Sequence, residues 1–174
     1  MRTFIALELP QAFDDDVADL MKALGLRMEG RFVPRENLHL TLAFLGEVGE
    51  ADAGATIAAL DAACAGVGPV PLAACGLGSF RRRKDEMFFL DIVPAPELLE
   101  LDERLRSELA SRGIGFDDKP FHPHVTLARR AHVIADDLGD LPFPLPDEGS
   151  VVTFFRSELS PEGAHYKPLY SVKL

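Results

Sequence analysis

The chain has 174 residues, a formal net charge of −10 and 47% hydrophobic residues. That length suits one domain with a sizeable core, or two small lobes sharing one. The acidic balance excludes a protein that coats nucleic acid through a broad basic surface, and no segment approaches the ~20 apolar residues of a membrane span.

The N-terminal stretch MRTFIALELP is interrupted by Glu8 and has no small-residue cleavage site after it, so it reads as a first strand over Thr3 to Leu9 rather than a signal peptide. Gln11 to Leu26 places Phe13, Val17, Leu20, Met21 and Leu24 on one stripe, the pattern of an amphipathic helix ended by Gly25 or Gly30. Phe32 to Pro34 leads into ENLHLTLAFLG, where His39, Thr41 and Ala43 alternate with Leu40, Leu42 and Phe44: a strand closed by Gly46. An Ala-rich helix is expected within Glu50 to Ala65, anchored by Ile57 and Leu60. PLAACGLGSF then reads as a strand ending in a Gly-rich turn, and EMFFLDIV as its partner, with Arg81 to Asp85 at the hairpin tip. Pro94 and Pro96 introduce a third helix carrying Leu98, Leu101, Leu105 and Leu109 on one face, broken by Gly113 and Gly115. FHPHVTLARR is a strand, LPFPLP a loop or edge segment, and VVTFFRSEL and YKPLYSVKL are closing strands.

Halved near its middle, this order gives two similar lobes, each with one His-x-Thr strand. No low-complexity linker separates them. The expectation is a single α+β domain over residues 1–174 with internal pseudo-symmetry.

HLTLAF at His39 to Phe44 and HVTLAR at His124 to Arg129 share His, Thr, Leu and Ala position by position. With five threonines in 174 positions, a His has Thr two residues on about 3% of the time, so two such His among five is roughly a one-in-a-hundred coincidence. On a strand, residues two apart share a face. His39 with Thr41, and His124 with Thr126, can therefore line one cleft if the strands lie side by side. Two imidazoles near their ordinary pKa supply a general base and a general acid across one phosphorus atom. Threonine hydroxyls donate to non-bridging phosphate oxygens, and Arg129 adds a charge-assisted contact. Phe44 stands where Arg129 stands in the second copy, so the anion charge should be met mainly from the second half, leaving the first with a more apolar wall.

Other candidates are more ambiguous. His122 precedes His124 by two and with His39 would make a three-His metal set, but Pro123 perturbs the strand and no carboxylate lies nearby in sequence; no metal and no cofactor is expected. His132 and His165 lie in polar or loop settings. The basic runs, Arg81 to Lys84 and Arg129-Arg130, suit solvated strand ends as well as an anion pocket. Cys64 and Cys75 form neither a disulfide framework nor a metal spacing, which points to a reducing, cytoplasmic setting.

HLTL and HVTL resemble the paired His-x-Thr-x motifs of the 2H phosphoesterase superfamily. With RTFIALELP, ENLHLTLAFLGEV, FHPHVTLAR and FRSELSPEGAHYKPLYSVKL, essentially the full chain is similar to its bacterial and archaeal branch, the RNA 2',3'-cyclic phosphodiesterases, also called 2'-5' RNA ligases. The resemblance implies a bilobal, LigT-like α+β fold, with two antiparallel sheets around a central cleft and helices outside. It implies opening of a terminal ribose 2',3'-cyclic phosphate to a 2'-phosphomonoester, with His39 as proton donor to the departing 3' oxygen and His124 as proton acceptor. Thr41, Thr126 and Arg129 match phosphate-binding positions. Arg130 is a further candidate there, and Phe80, Phe88 or Phe89 could stack on a base. The resemblance also raises Arg81 to Lys84 as a track for the RNA backbone. The expected partners are RNA ends or nucleotides with a 2',3'-cyclic phosphate, no membrane is involved, and a monomer is expected. Ligation as the main activity, or a nucleotide-binding module without turnover, stays open. RNA contact confined to the cleft would give a shallow salt dependence, and a steep one would require a basic groove.

Overall fold

The computed structural model describes residues 1–83 and 85–174; Lys84, the end of the first basic run, lies outside the described residues. The elements follow in chain order. β1 (Arg2–Glu8) leads to α1 (Gln11–Gly25), β2 (Met28–Phe32), a single 3-10 turn (Arg35–Asn37) and β3 (His39–Glu47). Then come α2 (Glu50–Cys64), β4 (Val70–Leu72), β5 (Ala74–Arg82), β6 (Asp85–Ile92) and α3 (Pro96–Ser111). β7 (His124–Val133), β8 (Asp147–Gly149), β9 (Val151–Ser160) and β10 (Gly163–Lys173) complete the chain. Among the described residues no helix is long and apolar enough to cross a membrane.

The helices form where their apolar stripes demand. α1 buries Phe13, Val17, Leu20 and Leu24, and α3 buries Leu98, Leu101, Leu105 and Leu109. α2 differs in detail. Its buried stripe is Thr56, Ala59, Leu60, Ala63 and Cys64, while the expected anchor Ile57 is only half-buried. α2 packs on α3 and against β10, and α3 reaches β3 and β4.

Three strand boundaries depart from the sequence pattern. The run from Pro71 to Phe80 is broken at Ala73, whose carbonyl accepts from the Val93 N–H at 2.8 Å, so Val70–Leu72 is free to pair with β8. β7 begins at His124 rather than Phe121. Pro123 has no N–H to give the ladder, although its carbonyl accepts from Ile92 at 3.1 Å. β2, absent from the sequence pattern, pairs with the outer part of β7.

The main sheet runs β10-β9-β1-β3-β7-β6-β5, with β2 beside β7. Its pairings are antiparallel, and it divides into two halves. β1, β3, β9 and β10 make one lobe, and β2, β5, β6 and β7 the other. The lobes are therefore not the first and second halves of the chain: the C-terminal hairpin crosses to cover β1, and β2 crosses to β7. Between them stands a single register pair, Leu40 with Val125. Both are fully buried, and the buried apolar residues of both lobes and all three helices form one continuous cluster. Leu40, Leu42, Val125 and Leu127 face that core, so the alternating residues face the opposite side, where the cleft lies.

Phe88 and Phe89 are both buried because the β6–β7 register shifts between them. Phe88 joins the core, while Phe89 pairs with Thr126 on the cleft side. The far end of the Phe89 ring lies over Gly78 on β5: a Cβ there would meet ring atoms at 2.5 and 2.6 Å. Phe80 stacks on the same ring at 4.5 Å, so it has little freedom to move away. Gly78→Ala is expected to destabilise the protein by about 1–3 kcal/mol, the usual cost of overpacking. Thermal or urea unfolding measures this, and an unchanged midpoint would show that the ring is free to shift.

Candidate active site

β3 and β7 present the same profile over their first six residues: half-buried, buried, half-buried, buried, buried, exposed. His39, Thr41, His124 and Thr126 are the half-buried members. Extending the Leu40–Val125 register by one residue each way sets His39 across from Thr126 and Thr41 across from His124. A local two-fold axis through that pair thus relates the two His and the two Thr. The structure brings these four sequence candidates together.

Each imidazole is held by the residue two before it. The Nδ1–H of His39 donates to the Asn37 carbonyl at 2.7 Å, and that of His124 to the His122 carbonyl at 2.6 Å. Nδ1 is thereby committed as the protonated nitrogen of a neutral ring, and Nε2 is left for chemistry. His39 Nε2 lies 2.9 Å from the Thr41 hydroxyl. Thr126 instead donates to the Met87 sulfur at 3.6 Å, a weak acceptor that a phosphate oxygen readily replaces.

Burial pushes both imidazoles below the ordinary value of 6.5, because desolvation disfavours the charged ring. The carbonyl bonds oppose this. For His39 the charges of His124 and Arg129 add to the lowering. For His124 the charge of His122 also lowers, Asp91 raises, and Arg129 lowers. The Arg129 charge therefore bears on both rings. Arg130 diverges: its N–H is tied to Asp85 at 2.8 Å, and its side chain joins a separate pocket with Arg81 and Arg83.

Aromatic rings buttress each imidazole. Phe4 lies 4.9 Å from His39, and Tyr166 meets His39 edge-on at 5.3 Å; Phe155 stacks on Phe4 at 5.2 Å. On the other side Phe89 lies 5.1 Å and Phe80 5.6 Å from His124. Phe80 is 39% exposed, so part of its ring stays available at the cleft. Phe44 is exposed at the sixth position, as Arg129 is in the other copy.

Several site residues had no sequence signal. An acidic residue pairs with each His in register, Glu8 with His39 and Asp91 with His124, from strands remote in sequence. Glu8 is held by the Thr153 hydroxyl at 2.9 Å. Asp91 accepts from His122 Nε2 at 2.8 Å, supplying the carboxylate that local sequence lacked. His122 stands 5.8 Å from His124 between ring centroids, and among the described residues no three His, Cys, Asp or Glu side chains gather as metal donors. His132 and His165 are exposed. Asn37 was the one partner legible in principle, since it precedes His39 as His122 precedes His124; its amide donates to the Ala164 carbonyl at 2.7 Å and ties the β9–β10 hairpin to the site. A cavity of about 470 Å³ opens beside His39, with Glu8, Asp14, Glu36, Phe155 and Tyr166 in its wall and Arg35 paired to Asp14 there. The first half is thus aromatic and charged rather than simply apolar.

Comparison with known proteins agrees with this geometry. The family profile described as the 2'-5' RNA ligase superfamily matches residues 10–138. The RNA 2',3'-cyclic phosphodiesterase of Thermotoga maritima is 34% identical over 178 residues, covering 98% of this chain and 94% of that protein. The enzyme of the same name from Thermus thermophilus is 33% identical, covering 99% of this chain and 87% of its own. The structure of E. coli LigT complexed with 3'-AMP matches with a TM-score of 0.82 at 28% identity, covering 99% of this chain and 97% of that one. The chain belongs to the 2'-5' RNA ligase superfamily.

Proposed function

We propose that this protein hydrolyses the 2',3'-cyclic phosphate at an RNA end to a 2'-phosphomonoester, without a metal, and that residues 1–174 act as one two-lobed domain. The observation that carries the reading is the pair of His-x-Thr strands set across the Leu40–Val125 pair, with Nδ1 of each imidazole committed to a backbone carbonyl so that Nε2 is the nitrogen turned to the reaction. Relatives along the whole chain are named for this reaction. In the proposed step His124 Nε2 takes a proton from water as its oxygen bonds to phosphorus. The bond from phosphorus to the 3' oxygen breaks, and His39 Nε2 gives that oxygen a proton. Thr41 and Thr126 donate to the non-bridging oxygens, and Arg129 balances the charge that gathers on them. Phe80 offers a stacking face to the terminal base. Cys64 and Cys75 are both free, which fits a reducing compartment such as the cytoplasm. We take the working unit to be a monomer.

The test is turnover of an oligonucleotide ending in a 2',3'-cyclic phosphate, in excess EDTA. His39→Ala and His124→Ala are each expected to lower kcat by about 10²–10⁴-fold, the usual contribution of one acid or base. Full activity in either variant, or loss of wild-type activity in EDTA, would sink the mechanism.

The lowered imidazole pKa values set the pH profile. The active form holds one proton between the two rings, so kcat/KM should be bell-shaped with its maximum on the acidic side of 6.5. The acid limb reports protonation of His124. His122→Asn removes a positive neighbour, which raises the His124 pKa and moves that limb to higher pH. Asp91→Asn removes a negative one and moves it lower. Limbs that stay put in both variants would separate His124 from the observed titration.

A further inference from the structure

The in-line course of the proposed reaction fixes how the terminal nucleotide lies in the cleft. Water enters beside His124 and the 3' oxygen departs beside His39, on opposite sides of phosphorus. In a 2',3'-cyclic phosphate the 3' oxygen sits on C3', which leads through C4' to the 5' carbon. The 2' oxygen sits on C2', which leads through C1' to the base. The 5' flank of the sugar therefore lies on the His39 side, and the base lies on the other flank. What stands beside His39 is the cavity of about 470 Å³. Its wall shares the cleft face. Glu8 is in register with His39, Tyr166 meets the His39 ring edge-on at 5.3 Å, and Phe155 stacks at 5.2 Å on the Phe4 ring that backs His39.

A cavity of this size has room for more than a hydroxymethyl group, so size does not select what the 5' carbon carries. Charge does. Arg35 lies in the wall, but it is engaged by Asp14 at 2.7 Å and by Asp15 as well. Glu8, which accepts from the Thr153 hydroxyl at 2.9 Å, and Glu36 add two further carboxylates. Among the described residues the wall holds no second guanidinium or ammonium group to offset them. A carboxylate accepts a hydrogen bond from a 5' hydroxyl and opposes a phosphate in the same place.

We propose that this cavity is the subsite for the 5' end of the terminal nucleotide, and that Glu8 and Glu36 make it select a free 5' hydroxyl over a 5' phosphate. Nucleoside 2',3'-cyclic phosphates are then preferred to RNA ends, which remain substrates. The proposal deepens the function proposed for the cleft and rests on it. The test compares adenosine 2',3'-cyclic phosphate with its 5'-phosphorylated form, alike in base and in reacting group. Both meet the same two histidines, so the ratio of their kcat/KM values cancels the protonation state of the site. At ~6 Å in water each carboxylate opposes a unit charge by about threefold, so the ratio should favour the hydroxyl by about tenfold at about 0.01 M salt. It should fall toward one near 1 M, where the Debye length is ~3 Å. A cationic subsite would show the reverse, a preference for the phosphate that salt erodes. E8Q/E36Q should bring the low-salt ratio close to one, and E36Q alone, on the exposed 3-10 turn, part of the way. A low-salt ratio at or below one, a ratio insensitive to salt, or one unchanged in both variants would each overturn the subsite. Calorimetry with the two products, 2'-AMP and adenosine 2',5'-bisphosphate, reads the same preference without turnover: 2'-AMP should bind about tenfold more tightly at low salt. If neither cyclic phosphate is hydrolysed, the proposed activity falls, and the product affinities decide the subsite by themselves.

Discussion

The arrangement depends on one backbone pairing, Leu40 with Val125, the register pair at which the two lobes meet. Its side chains point away from the cleft and are fully buried. Each such burial contributes about 1.5–3 kcal/mol, so the hydrophobic core, and not the polar cleft, locks the register. A slip by one residue would send His39 or His124 into the core and a leucine or valine into the cleft. The alternation of period two converts that single hydrophobic constraint into the placement of four polar groups. It also explains why the site is two-fold symmetric: both strands obey the same constraint from opposite sides of one axis.

Placement alone leaves an imidazole free to rotate and to exchange tautomers. The chain removes that freedom with backbone rather than with side chains. In Asn37-Leu38-His39 and His122-Pro123-His124 the carbonyl two residues back accepts from Nδ1. Pro123 stiffens the second of these, because a residue before proline is held in extended conformation. The aromatic rings around each His then exclude water, and it is this desolvation that lowers both pKa values. The same burial carries a stability consequence. Between the lowered folded value and 6.5 the unfolded chain binds more protons, so stability at these sites is full above 6.5 and falls as pH drops through that window.

Much of this was legible in the sequence, and the limits of legibility have a physical pattern. Amphipathic stripes gave α1 and α3 with their buried leucines, and the His-x-Thr alternation gave the shared face. Both are local, since they follow from 3.6- and 2-residue periods. What escaped was non-local. The C-terminal hairpin β9–β10 covering β1 is a pairing between chain ends with no local mark. Asp91 reaches His122 from another strand, so a search for neighbours in sequence could not find it. Phe88 and Phe89 defied simple alternation because a register shift lies between them, and such shifts are set by the partner strand. Ile57 yielded its place to alanines on α2 because the choice of face belongs to α3 as much as to α2.

The two-fold symmetry ends where the chemistry of the substrate is itself asymmetric. A phosphate between two histidines looks alike from both sides, and there the lobes match residue for residue. Its substituents do not look alike, since one side leads to a leaving oxygen and the other to attacking water. The lobes diverge at the corresponding places. At the position two before His, Asn37 turns inward to anchor the Ala164 carbonyl, while His122 stays outside, paired with Asp91. At the sixth position Phe44 in one copy corresponds to Arg129 in the other. Beyond these, Glu8, Asp14 and Glu36 line the cavity beside His39 together with Arg35, which is paired to Asp14. The net charge of the chain matters little to this, because charges more than about 8–10 Å apart in solution are largely screened. What an approaching anion meets is the local difference between the two sides of the cleft, and that difference is built from the few positions at which two otherwise equivalent strands were allowed to differ.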